Sequence, residues 1–274
     1  MARSLKRHGT ARPGHLYQHG AATGPPDKPW DDGCVVAAAR QLRRCRGHCQ
    51  ADSSGVRNIP TLGREALPVE QPTRPAVPAV ELAVLDAPVL ARGNLTLFLL
   101  HLADAGAFDP VWSDQIHADW ARELQRVRPD IPIDRLRHRR LAMDRAFPVA
   151  SVIASRDAQE EVLAHCTTPA ERKGAHVLAT ALSARAAVIV TDTSFCLTEV
   201  MSKLWHDTAV LSPDAWCLEL MERHETAVLD GSRSYRASLT KGDNSVDGWL
   251  ALLREPQVGL PGTADRLASQ RDQL

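Results

Sequence analysis

The chain has 274 residues, which is enough for one large domain or for an ordinary domain with appendages. Basic and acidic residues number 33 each, so the formal net charge is zero and indicates neither a nucleic-acid nor a membrane partner. Only 4% of the residues are aromatic, which is few for a base-stacking surface. No apolar run approaches the roughly 20 residues of a membrane span, and no signal-peptide core follows the basic N-terminus, so we expect a cytoplasmic protein.

Residues 1–78 differ in composition from the rest of the chain. They are rich in Arg, Gly, Pro, His and Gln, and such a segment buries too little apolar surface to offset the entropy lost on ordering. We expect a disordered or low-complexity extension, with a short helix over Cys34–Leu42 as the exception. Cys45, His48 and Cys49 lack a second ligand pair at the spacing of a zinc site, so the pattern does not favour one.

A short apolar run at Leu82–Leu85 is followed at once by an acidic residue, Asp86. This pattern is typical of a buried parallel strand that brings a carboxylate to the edge of a sheet, where ligands collect in α/β proteins. The alternative is that Asp86 caps the helix that follows. An apolar helix is then predicted from Asn94 and ends before Gly106, followed by a short strand at Pro110–Trp112.

Ser113 is a plausible N-cap for an amphipathic helix over Asp114–Arg128. Within this helix, Asp119 and Glu123 are four residues apart and share a face, so one of them can point towards the sheet edge. The next helix, Asp134–Phe147, carries a dense basic run. That run is either a solvated surface or a patch that contacts phosphates, and its candidate RNA-binding residues are Arg135, Arg137, Arg139 and Arg140.

Further strands are predicted at Ala150–Ala154, Ala187–Thr191 and Thr208–Leu211, with a helix over Pro169–Arg185 between the first two. Helices over Asp214–His224 and around Val246–Leu253 complete the chain. The strand Ala187–Thr191 also ends in an acid, Asp192. Asp86 and Asp192 are therefore expected at the same edge of one parallel sheet, where like charges favour a divalent cation between them.

The order of these features resembles the PIN-domain ribonuclease family, in particular the VapC-type toxin branch with a C-terminal helical extension. The resemblance is carried by VLDA, VWSDQIHADW, the Arg-rich helix, AHVLATAL, VIVTD and LSPDAW, and it spans about residues 81–224. It implies an α/β three-layer sandwich with a parallel sheet of about five strands. The implied domains are a PIN-like domain at 79–214 and a helical extension at 215–274.

The resemblance also implies a function, that of a Mg²⁺- or Mn²⁺-dependent endoribonuclease toxin of a type II toxin–antitoxin pair. Its partners would be an RNA substrate, a cognate antitoxin and a second copy in a homodimer. Hard divalent cations prefer carboxylate and water oxygens, and a bound ion lowers the pKa of its water. The resemblance assigns metal-binding and catalytic roles to Asp86, Asp119 and Asp192.

The sequence departs from the family pattern at several positions. Gly174 stands where the family has an acid, and Glu171, one helical turn earlier, is the available substitute as a metal ligand. Thr193 and Cys196 also replace family residues after the strand that precedes Asp192. These departures leave a second hypothesis open, namely a catalytically degenerate PIN module that binds RNA or an antitoxin-like partner without cleavage.

Overall fold

The protein is an α/β protein whose parallel sheet has four strands and helices packed around it. The structure, a computed structural model, describes residues 80–204, 207–240 and 242–274. The strands are β1 (Leu82–Leu85), β2 (Asp109–Val111), β3 (Val188–Val190) and β4 (Ala209–Leu211), in the spatial order β2-β1-β3-β4. The predicted N-terminal extension, the Cys34–Leu42 helix and the cysteines near it lie outside the described residues.

Helices connect the four strands and continue after β4. They are α1 (Ala87–Ala91), α2 (Gly93–Asp104), α3 (Asp114–Val127), α4 (Ile133–Ala146), α5 (Arg156–His165), α6 (Pro169–Ala184), α7 (Ser194–Leu204), α8 (Pro213–Arg223), α9 (Glu225–Ser238), α10 (Val246–Arg254) and α11 (Pro261–Ala268). A 3₁₀ turn at Arg271–Gln273 ends the chain. Within the described residues, no helix combines the length and the apolar character needed to cross a membrane.

The two central strands, β1 and β3, are apolar and almost wholly buried, as parallel strands covered on both faces must be. Val84 of β1 pairs with Val111 of β2 on one side and with Ile189 of β3 on the other. The predicted strands at 82–85, 110–112, 187–191 and 208–211 are thus confirmed. Because β1 and β3 are neighbours, the residues that follow them meet at one edge of the sheet.

The fifth predicted strand, Ala150–Ala154, is reduced to a single parallel bridge between Trp112 and Ser151. Two backbone hydrogen bonds hold it: Trp112 N–H donates to Ala150 O and Val152 N–H donates to Trp112 O, each at 2.9 Å. The described sheet therefore has four strands instead of about five. Residues 150–153, which follow a turn at 148–149, lie beside β2, and we call them the edge segment.

The predicted helix boundaries follow from local capping. The Ser113 hydroxyl accepts the Ile116 N–H at the start of α3, and Ser212 accepts the Ala215 N–H before Pro213 opens α8. After α2, Gly106 adopts a positive φ of 87°, which ends the predicted apolar helix as expected. The helices α1, α5, α7, α9 and α11 are additional to those predicted with bounds from the sequence.

The C-terminal helices share the hydrophobic core of the sheet. Helix α9 packs on α2, and α11 packs on α8. The Asp214 carboxylate in α8 accepts the backbone N–H groups of Gly262 and Thr263 and the Thr263 hydroxyl, so it caps the start of α11. Residues 215–274 are consequently joined to the sheet-bearing region by packing and by hydrogen bonds.

Candidate functional site

Asp86 lies at the carboxyl end of β1, in the position that the sequence predicts. Its backbone N–H still belongs to the sheet, donating to Val190 O at 3.1 Å. One carboxylate oxygen accepts the Ala87 N–H at 2.6 Å, so Asp86 does cap α1. The other oxygen accepts the Thr191 hydroxyl at 2.7 Å. Asp86 is therefore both an N-cap and the buried carboxylate of the sheet edge.

Burial raises the pKa of Asp86 above its ordinary value, because a charged carboxylate loses hydration there. The hydrogen bonds from Thr191 and Ala87 and the nearby His176 oppose that rise, while the charge of Asp119 adds to it. Asp86, Asp119 and His176 therefore interact electrostatically around the same end of the sheet.

Asp119 on α3 faces α6. Its Oδ2 lies 3.2 Å from His176 Nε2, and its Oδ1 accepts a hydrogen bond of 2.6 Å from Arg122. The His176 Nδ1 lies 3.0 Å from the backbone carbonyl of Lys173. A carbonyl oxygen only accepts, so Nδ1 carries a hydrogen and Nε2 is the atom directed to Asp119. The inward position was expected for Asp119 or Glu123, and Glu123 instead forms an exposed pair with Arg126.

Asp192 follows β3 as predicted, but its carboxylate pairs with an arginine. Arg92 donates to Asp192 Oδ2 at 2.6 Å and reaches towards Val258 O at 3.4 Å with its other terminal nitrogen. Arg92 sits between α1 and α2, one hundred residues before Asp192. The sequence led us to expect a divalent cation between the acids at this edge. For Asp192, the positive charge comes instead from the Arg92 side chain.

Glu171, the substitute ligand, is used by its own helix. Its carboxylate accepts the N–H groups of Thr167 and Thr168, and Thr168 in turn accepts the Glu171 N–H, which forms a capping box at the start of α6. These backbone N–H groups lower the pKa of Glu171 to about 2. Lys203 lies 3.7 Å away. The Glu171 side chain is buried, and its carboxylate is occupied by the capping box instead of being free to bind a metal ion.

The backbone at Gly174 is closely packed by a leucine. A Cβ atom built at Gly174 would lie 2.5 Å from Leu197 Cδ2, closer than real Cβ contacts, and Leu197 is itself buried. A carboxylate at this position would require Leu197 to move. Thr193, the other described departure from the family pattern, donates its N–H to the Thr191 hydroxyl at 3.1 Å.

These placements decide whether the residues fit a Mg²⁺ or Mn²⁺ ion. Among the described residues, no group of three or more His, Cys, Asp or Glu side chains is arranged to hold a metal ion. Asp86 accepts hydrogen bonds from Thr191 and Ala87, Asp119 pairs with Arg122 and lies beside His176, and Asp192 pairs with Arg92. Hard divalent ions need several convergent oxygen ligands. The donor set in this structure does not meet that requirement.

The basic run of α4 is divided between the interior and exposed ion pairs. Arg139 is buried, where its guanidinium donates to Leu90 O and the Thr96 hydroxyl. Arg140 pairs with Asp114 and Asp144, and Arg137 pairs with Asp134. Arg135 has an interaction of its own. Arg137 and Arg140 are therefore balanced by acids of the protein, and Arg139 is not exposed for RNA.

A groove of about 480 Å³ lies beside Asp119 and His176. Two exposed cations, Arg172 and Lys173, stand on its α6 side, and neither forms an ion pair or a side-chain hydrogen bond with another described residue. Val152 and Ile153 of the edge segment supply an apolar wall. Nothing in the sequence singles out Arg172 and Lys173, because their position relative to Asp119 depends on how α6 packs against α3.

Comparisons with protein-family models, with curated proteins and with solved structures find no match to this chain.

We expect Asp86→Asn to gain stability relative to the wild type as the pH rises from about 4 to 7. The pKa of Asp86 is raised by burial, so the native state binds more protons than the unfolded state between the ordinary and the raised pKa. Wild-type stability is thus lost as pH increases through that interval, whereas Asn does not titrate. Urea unfolding at both pH values measures the difference.

Thr191→Val is the matched variant for this measurement. It removes the hydroxyl that lowers the pKa of Asp86, so the loss of wild-type stability with rising pH should become steeper. An Asp86→Asn effect of equal size at both pH values would contradict the assignment of a raised pKa.

Proposed function

We propose that this protein is a PIN-like module that binds single-stranded RNA beside the carboxyl edge of its sheet without metal-dependent cleavage. The observation that carries the proposal is the engagement of every predicted ligand by a neighbouring donor: Thr191 for Asp86, Arg122 for Asp119 and Arg92 for Asp192. The contact of Leu197 with Gly174 supports it, because a carboxylate at position 174 would require Leu197 to move.

The proposal includes the finer description of the fold. The parallel order β2-β1-β3-β4, with the edge segment beside β2, suits a PIN-like three-layer sandwich over residues 79–214 and a helical extension at 215–274. The acids at the ends of β1 and β3 occur where the resemblance expects them. This support rests on topology and on residue positions.

The choice of RNA as ligand rests on the groove. Arg172 and Lys173 offer positive charge that no other described side chain takes up by ion pairing, and cations of this kind release counterions from a phosphate backbone. The apolar wall formed by Val152 and Ile153 suits the faces of unstacked bases, which only single strands expose. Gln115 and Gln159 also line the groove and can hydrogen-bond base edges.

A second candidate is the metal-dependent endoribonuclease toxin, restrained by a cognate antitoxin. One observation favours it: Asp119 is close enough to Asp86 that its charge raises the pKa of Asp86. Two neighbouring carboxylates can supply part of the oxygen ligand set of a divalent cation. The two candidates differ in whether the bound RNA is cleaved, and in whether Asp86 is needed for that cleavage.

The test uses the full chain and a fluorescently labelled single-stranded RNA. We expect binding by fluorescence anisotropy in the presence of EDTA, with no shortening of the RNA on a gel when Mg²⁺ or Mn²⁺ is added. Arg172→Glu combined with Lys173→Glu should weaken binding by about tenfold or more, because two phosphate contacts become repulsive. Asp86→Asn should leave the affinity unchanged.

The matched control is Arg233→Glu combined with Arg254→Glu, which changes the net charge equally on helices that do not line the groove. It should bind RNA almost as the wild type does. Chelator-sensitive cleavage that Asp86→Asn abolishes would instead establish the second candidate. An RNA affinity that is absent, or that the groove and control variants reduce equally, would overturn the binding proposal.

A further inference from the structure

The arginines that pair with Asp119 and Asp192 are held in different ways. Arg122, the partner of Asp119, lies three residues away on the same helix, and its side chain is 74% exposed. Arg92, the partner of Asp192, comes from a distant part of the chain, and its side chain is 24% exposed. Asp192 is therefore paired with a cation that the tertiary fold brings to it.

The backbone of Arg92 is fixed at the junction between α1 and α2. Its N–H donates to Val89 O at 3.2 Å, and its carbonyl accepts the Thr96 N–H at 2.8 Å. Its backbone is extended, with φ −92° and ψ 105°, so this residue ends one helix and precedes the next. Because hydrogen bonds to both helices fix the backbone of Arg92, its side chain starts from a defined position.

The guanidinium of Arg92 lies against residues 255–260, which we call the C-terminal turn. Arg92 Nη1 is 3.4 Å from Val258 O, and a Cβ built at Gly259 would lie 3.0 Å from the same nitrogen. Gly259 has a positive φ of 71°, which glycine adopts without strain. The Nε of Arg92 is buried and has no hydrogen-bond partner among the described residues. Packing against the C-terminal turn therefore helps to hold the side chain in place.

The C-terminal turn is itself fixed by hydrogen bonds and burial. The Glu255 carbonyl accepts the Val258 N–H at 2.8 Å, and the Leu260 N–H donates to Leu253 O at 2.9 Å. Val258 and Leu260 are fully buried. The turn thus gives Arg92 a fixed wall, and the C-terminal helices contribute in this way to the charge balance at the edge of the sheet.

We propose that Arg92, held by the C-terminal turn, is a built-in counterion that excludes divalent cations from the carboxyl edge of the sheet. Asp86 and Asp192 follow neighbouring strands there, and nearby carboxylates attract a divalent cation when nothing else neutralises them. The Arg92 guanidinium donates to Asp192 Oδ2 at 2.6 Å, so it occupies that oxygen and supplies the positive charge. A cation that approaches this edge meets a fixed positive charge in place of a free carboxylate.

The counterion role explains why acids that follow two adjacent strands do not form a metal-binding group among the described residues. The role is separate from RNA binding, because Arg92 does not line the groove beside Asp119 and His176. Binding of Mn²⁺ can be measured with no RNA present. Failure of the RNA-binding proposal would therefore leave the counterion role intact, and the reverse also holds.

The experiment is a titration of the full chain with Mn²⁺, followed by the electron paramagnetic resonance signal of the free ion. The wild type should leave that signal nearly unchanged. Arg92→Met removes the charge and should bind Mn²⁺ at least about tenfold more tightly, because an adjacent opposite charge changes the proton affinity of a carboxylate by about this factor or more. Adding Asp192→Asn to this variant should return the affinity to the wild-type level.

Arg128→Met is the matched control for Arg92→Met. Arg128 lines the same pocket of about 380 Å³ as Arg92, and its side chain is 25% exposed. It pairs with Asp130 at 2.8 Å, so its removal frees a carboxylate that does not follow a strand of the sheet. This variant should leave Mn²⁺ binding unchanged. Arg92→Lys keeps the positive charge and should bind Mn²⁺ as weakly as the wild type does.

Gly259→Ala tests the part played by the C-terminal turn. The added Cβ strains the backbone and crowds Arg92 Nη1, so the Mn²⁺ affinity should rise towards that of Arg92→Met. Gly106→Ala is the control, because Gly106 has a similar φ of 87° and a Cβ there would meet no atom within 4 Å. It should bind Mn²⁺ as the wild type does. Circular dichroism shows whether each variant is folded.

Three results would overturn the proposal. They are an Arg92→Met variant that binds Mn²⁺ no more tightly than the wild type, equal binding by Arg92→Met and Arg128→Met, and binding that persists when Asp192→Asn is added. Tight binding by Arg92→Lys would overturn the counterion role as well, because packing instead of charge would then exclude the ion. A folded Gly259→Ala variant with wild-type affinity would overturn the role of the C-terminal turn.

Discussion

Arg139→Ala should lower the free energy of unfolding by about 3 kcal/mol, while Arg137→Ala, two residues away, should change it by less than about 0.5 kcal/mol. Both arginines belong to the same basic run of α4. Arg139 is 6% exposed, however, whereas the side chain of Arg137 is 71% exposed and pairs with Asp134 one turn away. Exposed pairs of this kind contribute little to stability.

The large effect at Arg139 follows from what its guanidinium contacts. It donates to Leu90 O at 2.7 Å and to the Thr96 hydroxyl at 3.0 Å, and its central carbon lies 4.9 Å from the centre of the Trp120 ring. Hydrogen bonds from a charged donor and a buried cation–π contact contribute about 1–3 kcal/mol each. The Thr96 hydroxyl lies 3.2 Å from Leu90 O but 2.8 Å from Arg92 O, and its single hydrogen can be donated to only one of these carbonyls.

Urea unfolding of the two alanine variants and of Arg139→Met measures this prediction. The Met variant retains much of the side-chain volume, so the difference between it and Arg139→Ala separates packing from hydrogen bonding. Equal, small effects at Arg139 and Arg137 would contradict a structural role for Arg139. A loss of RNA affinity without a loss of stability in Arg139→Ala would instead return this residue to the RNA-binding surface that the sequence suggests.

Part of this fold could be predicted from the sequence, because some of its elements carry clear local signals. Strands β1 and β3 were predictable, because a strand buried on both faces needs a short apolar run, and few other elements share that pattern. Helix α3 was predictable from its Ser113 cap and its apolar stripe. Each of these signals lies within or directly beside the strand or helix that it predicts.

The contacts at the site join residues that are far apart in the chain, so the sequence around each residue does not reveal its partner. Arg92 and Asp192 are one hundred residues apart, and nothing near either one indicates the other. Leu197 contacts Gly174 because α7 packs on α6. The positions of Asp86 and Asp192 after two strands could be predicted from pattern. Which side chains would satisfy those carboxylates depends on packing between distant elements.

Helix α9 illustrates the same limit in the fold. Its sequence, ETAVLDGSRSYRAS, is mostly polar, so hydrophobic periodicity gives little indication of a helix. It nevertheless packs closely on α2, because Gly231 allows the backbone of α2 to approach: a Cβ there would lie 2.8 Å from His101 O and from Leu102 Cα. This close packing buries the His101 side chain, and that burial makes the stability of the protein depend on pH.

We expect His101 to make the protein about 3 kcal/mol less stable at pH 4 than at pH 7. His101 lies on α2 and is 1% exposed, with Nδ1 3.0 Å from the Ser234 hydroxyl and its ring 5.7 Å from that of Tyr235. Its Nε2 is buried without a hydrogen-bond partner in the described residues. Burial lowers the pKa of His101 from 6.5 to about 4, because the imidazolium would lose its hydration.

The direction of the pH effect follows from proton binding. Between pH 6.5 and 4, the unfolded state binds a proton at this histidine and the native state does not, so stability is complete above about 6.5 and is lost as the pH falls. Burial lowers the pKa of His117 to about 4 as well, so wild-type unfolding contains both effects. A comparison of the wild type with His101→Leu separates them, because His117 and the carboxylates are common to both proteins.

The measurement is the difference in unfolding free energy between wild type and His101→Leu at several pH values. That difference should shift by about 3 kcal/mol in favour of His101→Leu as the pH falls from 7 to 4, since leucine does not titrate. Leu102→Ala is the control, because it removes buried apolar volume from the same helix and should destabilise the protein equally at every pH. A constant difference between wild type and His101→Leu would show that His101 binds its proton as readily in the native state as in the unfolded one. The close contact at Gly231 would then open enough to hydrate the imidazole, which makes the same titration a measure of how tightly α9 is held against α2.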